Sequence, residues 1–209
     1  MSTWTKFYIK TDNKDIVVDQ LRTLTGIEET KIGDYPGDIW DNYLFDEPAK
    51  PTYLAVGVTS PGWITISHNS FNNLSDWSTT ISKNVDTKVI VTIAQSVSDV
   101  YYFALFDKGK KIREIEVCYS ADFKPKNFGQ RFDFEDEQPG KREEYNGEIE
   151  YNFGFEEIEA YCRHFGLEAQ TAFDEGSWTI LKSGIKLKTI NDFITAELVE
   201  RKKPWWKLW

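Results

Sequence analysis

The chain has 209 residues, 40% of them hydrophobic and 15% aromatic, which supplies apolar area for one substantial core and excludes a chain that is disordered throughout. Against 25 Lys and Arg stand 34 Asp and Glu, a formal charge of −9. That balance repels phosphate backbones, so it argues against nucleic-acid binding, and it speeds association with a cationic protein.

The first residues, MSTWTKFYIKTDNKD, lack the basic start and apolar run of a secretory signal, and no window approaches a membrane span, so the expected location is the cytoplasm. Trp4 to Lys10 reads as a strand with Thr5, Phe7 and Ile9 on one side. A helix follows, capped by Asp12 or Asn13, striped by Ile16, Val17, Leu21 and Leu24, and stopped by Gly26. Residues 27–51 show turn signals and scattered aromatics without a period, which predicts an irregular connection containing at most one short strand. Tyr53 to Thr59 and Trp63 to His68 alternate around Ser60-Pro61-Gly62 and predict a hairpin. Asn73 is the expected cap of a second helix, with Leu74, Trp77 and Ile81 on its apolar stripe.

Thr87 to Ser120 predicts three strands. Val89, Val91 and Ile93 alternate with polar residues, Tyr101 to Phe106 is apolar on both faces, and Ile115, Val117 and Tyr119 alternate with Glu114 and Glu116. The middle strand should therefore be central, and Asp107-Lys108-Gly109-Lys110 closes a hairpin. The order strand, helix, strand, strand, helix, strand is that of a ferredoxin-like split βαβ unit, extended here by the extra hairpin. The predicted class is α+β, mainly antiparallel, with C-terminal helices.

Phe132 and Phe134 suggest one more edge strand. The stretch 135–150, dense in charge and broken by Pro139-Gly140 and Asn146-Gly147, reads as a solvated excursion. Phe155, Ile158, Cys162 and Phe165 mark a helix ended by Gly166, with His164 in its last turn, where the helix dipole favours positive charge. Trp178 to Lys182 reads as a strand and Ile190 to Leu198 as a closing helix. Residues 1–203 are thus expected to form one domain, followed by a Trp-rich tail, 204–209.

Chemistry is sparse. Cys118 and Cys162 lack metal-ligand spacing and are expected to be reduced thiols; no metal or cofactor is expected. His68 stands at a strand end without a nucleophile elbow or Gly-rich loop, and reads as a packed histidine beside the second helix. Glu114 and Glu116 share a face, opposite Lys111 and Arg113, and read as a soluble outward surface. The acidic run Glu135, Asp136, Glu137, with Glu143 and Glu144, lacks calcium-loop spacing and is a candidate docking surface for a basic partner. Trp205, Trp206 and Trp209 behind Arg201, Lys202 and Lys203 have three readings: docking on the chain's own surface, a motif read by another protein, or a membrane-surface anchor, the last disfavoured by the acidic body.

Two functional expectations follow. The first is a non-enzymatic acidic protein-binding module, of inhibitor or immunity type, for a cationic protein, with Trp205, Trp206, Trp209, Glu135, Asp136 and Glu137 as partner-binding residues and the oligomeric state left open. The second is a hydrolase-like enzyme whose site is assembled from His68, Asp76, Asp99 or Glu114, which requires a cleft holding two of them together.

Overall fold

The computed structural model describes residues 3–44, 50–96, 98–119, 122–169, 176–185, 188–189 and 192. The Trp-rich tail and all of the expected closing helix except Asp192 lie outside these residues. The elements are β1 (Thr3–Ile9), α1 (Lys14–Thr25), β2 (Thr30–Gly33), a 3-10 turn (Gly37–Asn42), β3 (Tyr53–Ser60), β4 (Trp63–His68), α2 (Ser75–Asn84), β5 (Lys88–Gln95), β6 (Val100–Asp107), β7 (Lys110–Cys118), β8 (Lys126–Gly129), β9 (Lys141–Tyr145), β10 (Glu148–Asn152), α3 (Phe155–His164) and β11 (Trp178–Lys182). The fold is α+β, built on one large antiparallel sheet of nine strands in the order β2-β11-β3-β4-β1-β5-β6-β7-β8, with β9 and β10 as a separate two-stranded sheet.

Each long strand sends alternate residues to opposite layers. Phe7 and Ile9 of β1, Leu54 and Val56 of β3, and Tyr102, Ala104 and Phe106 of β6 pack with Val17 and Leu21 of α1 and Trp77 and Ile81 of α2. The intervening residues, Trp4 and Tyr8 of β1 and Tyr101, Phe103 and Leu105 of β6, pack on the other side with Ile158, Tyr161 and Cys162 of α3. The sheet is thus the middle of three layers, with α1 and α2 sharing one face. Because β6 lies between β5 and β7 and both its faces are covered, Tyr101 to Phe106 is buried as the sequence predicts. Truncating Phe103→Ala, fully buried, is expected to cost about 3–5 kcal/mol as a large-to-small core change. Glu116→Ala, on an ion pair still partly open to solvent, should cost about 0.5 kcal/mol or less. Urea titration of the two variants measures the difference; equal midpoints would contradict this placement of the core.

Local signals set most element ends. Asn13 caps α1 through its side chain, which accepts from Ile16 N–H at 3.1 Å, and Gly26 ends it in the left-handed region with φ 71°. Lys108 and Gly109 both have positive φ in the β6–β7 turn, as do Asn146 and Gly147 between β9 and β10, which is the backbone that tight two-residue hairpins require. The second helix starts later than Asn73. Asn72 and Asn73 use their side-chain oxygens to accept from the N–H groups of Leu74 and Ser75, turns that compete with helix, and Leu74 itself is left-handed at φ 49°.

Two further expectations are corrected, whereas residues 27–51 carry one short strand, as the sequence allows: β2 closes one sheet edge by pairing with β11, which in turn pairs with β3. Trp178 of β11 lies so close over Gly57 of β3 that a Cβ there would stand 2.7 Å from the indole ring. The edge strand beyond β7 is Lys126–Gly129, whereas Phe132 and Phe134 lie in a turn and stack on α3: the His164 ring sits 4.4 Å from Phe134 and 5.8 Å from Phe132. Within the charged stretch, β9 and β10 pair in register from Lys141↔Asn152 to Tyr145↔Glu148.

Candidate functional site: a cleft at the second helix and an acidic hairpin

Between the start of α2, just after the left-handed Leu74, and the ends of β5, β6 and β7 lies a cleft of about 700 Å³. Its walls include Phe71, Trp77, Tyr102 and Phe123, with the carboxylates of Asp76 and Glu116 and the ammonium of Lys50. A cleft of this size accommodates a small ligand or a few side chains. Glu116 pairs with Lys126 across β7 and β8. Of the four residues from which an enzyme site was to be assembled, Asp76 alone lines the cleft. Asp99 is exposed in the β5–β6 connection.

Glu114 does not lie on an outward surface: it is 8% exposed and accepts from the Tyr102 hydroxyl at 2.9 Å. Lys111 pairs with it at 2.9 Å rather than pointing away, because a register shift between Leu105 and Phe106 breaks strict alternation on β7. Burial is also the fate of His68. The ring is enclosed beside Phe7, with centroids 6.0 Å apart, and neither ring nitrogen has a hydrogen-bond partner among the described residues. Burial alone pushes its pKa down to about 3. A neutral imidazole sealed from solvent and lining no described cleft can pack but cannot exchange a proton with a substrate.

The acidic run divides in two. Glu135 is withdrawn from the surface by Arg113, whose guanidinium is itself fully enclosed. Arg113 Nε and Nη2 donate to the two Glu135 oxygens at 3.0 and 2.6 Å, and Nη1 donates to Asn127 Oδ1 and the Phe128 carbonyl, each at 2.7 Å. Burial pushes the Glu135 carboxyl up, but the bonds from Arg113 and from Phe132 N–H outweigh it and hold the group below the usual carboxylate range. Its charge is thus spent inside the chain, fastening the turn at Phe132 to β7. Asp136 and Glu137 remain exposed. Trp205, Trp206 and Trp209 lie outside the described residues.

The stronger acidic surface is the β9–β10 hairpin. Glu143 and Glu150 are directly opposite each other across the two strands, with Glu148 exposed on the same face, whereas Glu144 stands opposite Ile149 on the other. Lys141 and Asn152 hold Glu143 at 3.0 and 2.8 Å and draw its carboxyl below the ordinary range. On the other hairpin face Ile149 is 50% exposed. Like charges facing across a strand pair oppose pairing, and the contacts of Glu143 with Lys141 and Asn152 work against that repulsion.

One buried cation escaped sequence reading altogether. Lys6 is 2% exposed in the middle of the sheet, donates to the Ala169 carbonyl at 2.8 Å and lies over the Trp4 ring at 5.2 Å. Burial pushes its ammonium down to about 7, against the charges of Cys162 and Glu159. Its signal was alternation: Lys6 sits between Trp4 and Tyr8 on the face opposite Phe7. Cys162, enclosed nearby, has its thiol pushed up to about 12, chiefly by burial, which leaves it unreactive. No helix among the described residues is long and apolar enough to cross a membrane. The chain matches no known protein family, no curated protein and no solved structure.

Proposed function

We propose that this protein is a non-enzymatic, acidic protein-binding module that docks on a cationic protein, in the manner of an inhibitor or immunity protein acting in the cytoplasm. The observation that carries the reading is the placement of Glu143 opposite Glu150, with Glu148 beside them, on an exposed hairpin outside the main sheet. Such an arrangement weakens the free hairpin and is relieved when a basic surface covers it. The charge of −9 supplies long-range steering toward that surface. In this reading β3-β4-β1-β5 with α1 and α2 form a ferredoxin-like unit, and the β6–β7 hairpin extends it as a scaffold from which β9–β10 projects. Asp136 and Glu137 flank the contact. Glu135 holds the turn before the hairpin and makes no contact with the partner.

Affinity capture at low salt tests this with the wild-type chain and a Glu143→Gln/Glu148→Gln/Glu150→Gln variant. The wild type is expected to retain a basic protein in stoichiometric amount and the variant at least ten-fold less. The association rate of the captured pair should fall about ten-fold or more when salt is raised from roughly 50 to 500 mM. Capture of nothing stoichiometric, or equal capture by both chains, defeats the proposal.

A further inference from the structure

We infer that the cleft between the start of α2 and the ends of β5, β6 and β7 binds a small aromatic zwitterion, either an aromatic amino acid or a dipeptide with one aromatic side chain. The charges that the chain leaves unspent in the cleft are one of each sign. Glu116 is neutralised by Lys126 across β7 and β8. Lys50 and Asp76 also line the cleft, are both exposed, and form no ion pair among the described residues. One cation does not balance the double charge of a phosphate group, and a cation beside a single carboxylate does not select a purely basic ligand. A ligand with one carboxylate and one ammonium matches both side chains. Its ring is met by Phe71, Trp77, Tyr102 and Phe123, because aromatic rings gain from offset or edge contact with one another.

The walls are held in place by the chain itself. Phe71 stacks on Tyr43 with ring centroids 4.8 Å apart. Tyr102 is 2% exposed and donates its hydroxyl to Glu114 at 2.9 Å, and Trp77 is 2% exposed at the start of α2. The connection from β4 to α2 is stiffened by its own side chains. Asn69 Oδ1 accepts from the N–H groups of Thr52 and Tyr53 at 3.1 and 3.0 Å, which ties the backbone just after Lys50 to the end of β4. Ser70 Oγ, Asn72 Oδ1 and Asn73 Oδ1 accept in turn from the N–H groups of Asn72, Leu74 and Ser75, which fixes the approach to Asp76. Lys50 and Asp76 thus stand on backbone that has little left to order, and binding there costs correspondingly little in lost freedom. This inference is independent of the partner reading, because the cleft and the β9–β10 hairpin share no residue.

Isothermal titration calorimetry tests the site with L-phenylalanine and with glycyl-L-phenylalanine. At least one of these zwitterions is expected to bind with a Kd at or below about 1 mM, and the tighter of the two assigns the class of ligand. Its N-acetylated form, which lacks the ammonium, its C-terminal amide, which lacks the carboxylate, and its alanine analogue, which lacks the ring, should each bind about five-fold more weakly or worse. Lys50→Gln and Asp76→Asn, both at exposed positions, should each weaken the zwitterion by a similar factor. Cys118 locates the binding. It lines the cleft and is partly exposed, while Cys162 is fully buried, so a maleimide should modify Cys118 alone in the folded chain. Saturating zwitterion should slow that reaction, followed by mass spectrometry, and an absence of adduct at Cys162 verifies that each chain is folded. Absence of binding by both zwitterions overturns the inference. So does binding that survives both substitutions, binding that leaves the Cys118 rate unchanged, or equal binding of the N-acetylated or amidated form.

Discussion

His68→Leu should make the protein less sensitive to acid, by the largest margin of any single substitution considered. The imidazole is fully buried, with both nitrogens unpartnered among the described residues, and burial pushes its pKa from an ordinary 6.5 down to about 3. In the unfolded chain the ring takes up a proton as pH falls through about 6.5, whereas in the folded chain it stays neutral until about 3. The unfolded state therefore binds more protons throughout that window. The stability associated with His68 is intact above about pH 6.5 and is lost progressively below it, at about 1.4 kcal/mol per pH unit and roughly 5 kcal/mol in all. Between pH 7 and pH 4 the wild type should lose about 3 kcal/mol more than the leucine variant. At pH 7 the variant should equal or exceed the wild type, because it removes two buried polar atoms that lack partners. Urea midpoints at the two pH values measure both effects. Parallel loss in the two chains would mean that the imidazole is hydrogen-bonded or hydrated in solution.

The second large effect is expected at Glu135. Glu135→Ala leaves the Arg113 guanidinium enclosed without its carboxylate, and uncompensated buried charge typically costs about 3–5 kcal/mol. Glu137→Ala, two residues away and exposed, should change stability by about 0.5 kcal/mol or less. The contrast separates a structural carboxylate from a surface one within a single acidic run. A double variant, Arg113→Met with Glu135→Leu, removes both charges together and should recover most of the loss, since an apolar pair of similar volume often replaces a buried ion pair at little cost. Thermal unfolding of the four chains gives the comparison. A loss at Glu135 no greater than at Glu137 would show that the bidentate contact is open to water.

The two results bear on function because they fix which charges are available to a partner. With Glu135 and Glu114 committed to Arg113 and to Tyr102 and Lys111, the acids left to face outward in this part of the chain include Asp136, Glu137 and those of the β9–β10 hairpin. His68, the one histidine at a strand end, is withdrawn from any proton-transfer chemistry by its burial.

Periodicity by itself determined the elements that bury a regular face. Tyr101 to Phe106 read as a central strand because six successive apolar residues can be buried only where both faces of a sheet are covered. The α1 helix was legible from its cap, its stripe and Gly26, all of which act within a few residues. Side-chain alternation marked Phe7 and Ile9 as one face of β1, although it left the fate of Lys6 on the other face unread. What only the tertiary structure decided depends on partners distant in sequence. Glu135 looks identical to Asp136 and Glu137 in an acidic run, and it is the approach of Arg113 from β7, 22 residues away, that buries it. Strict alternation also misplaced Lys111, because one register shift on β7 turned its side chain toward Glu114. The position of β11 between β2 and β3, and the cleft between the start of α2 and the sheet, have no local signature at all. Each arises from which elements meet across the sheet, a choice governed by the packing of whole faces rather than by the preferences of neighbouring residues.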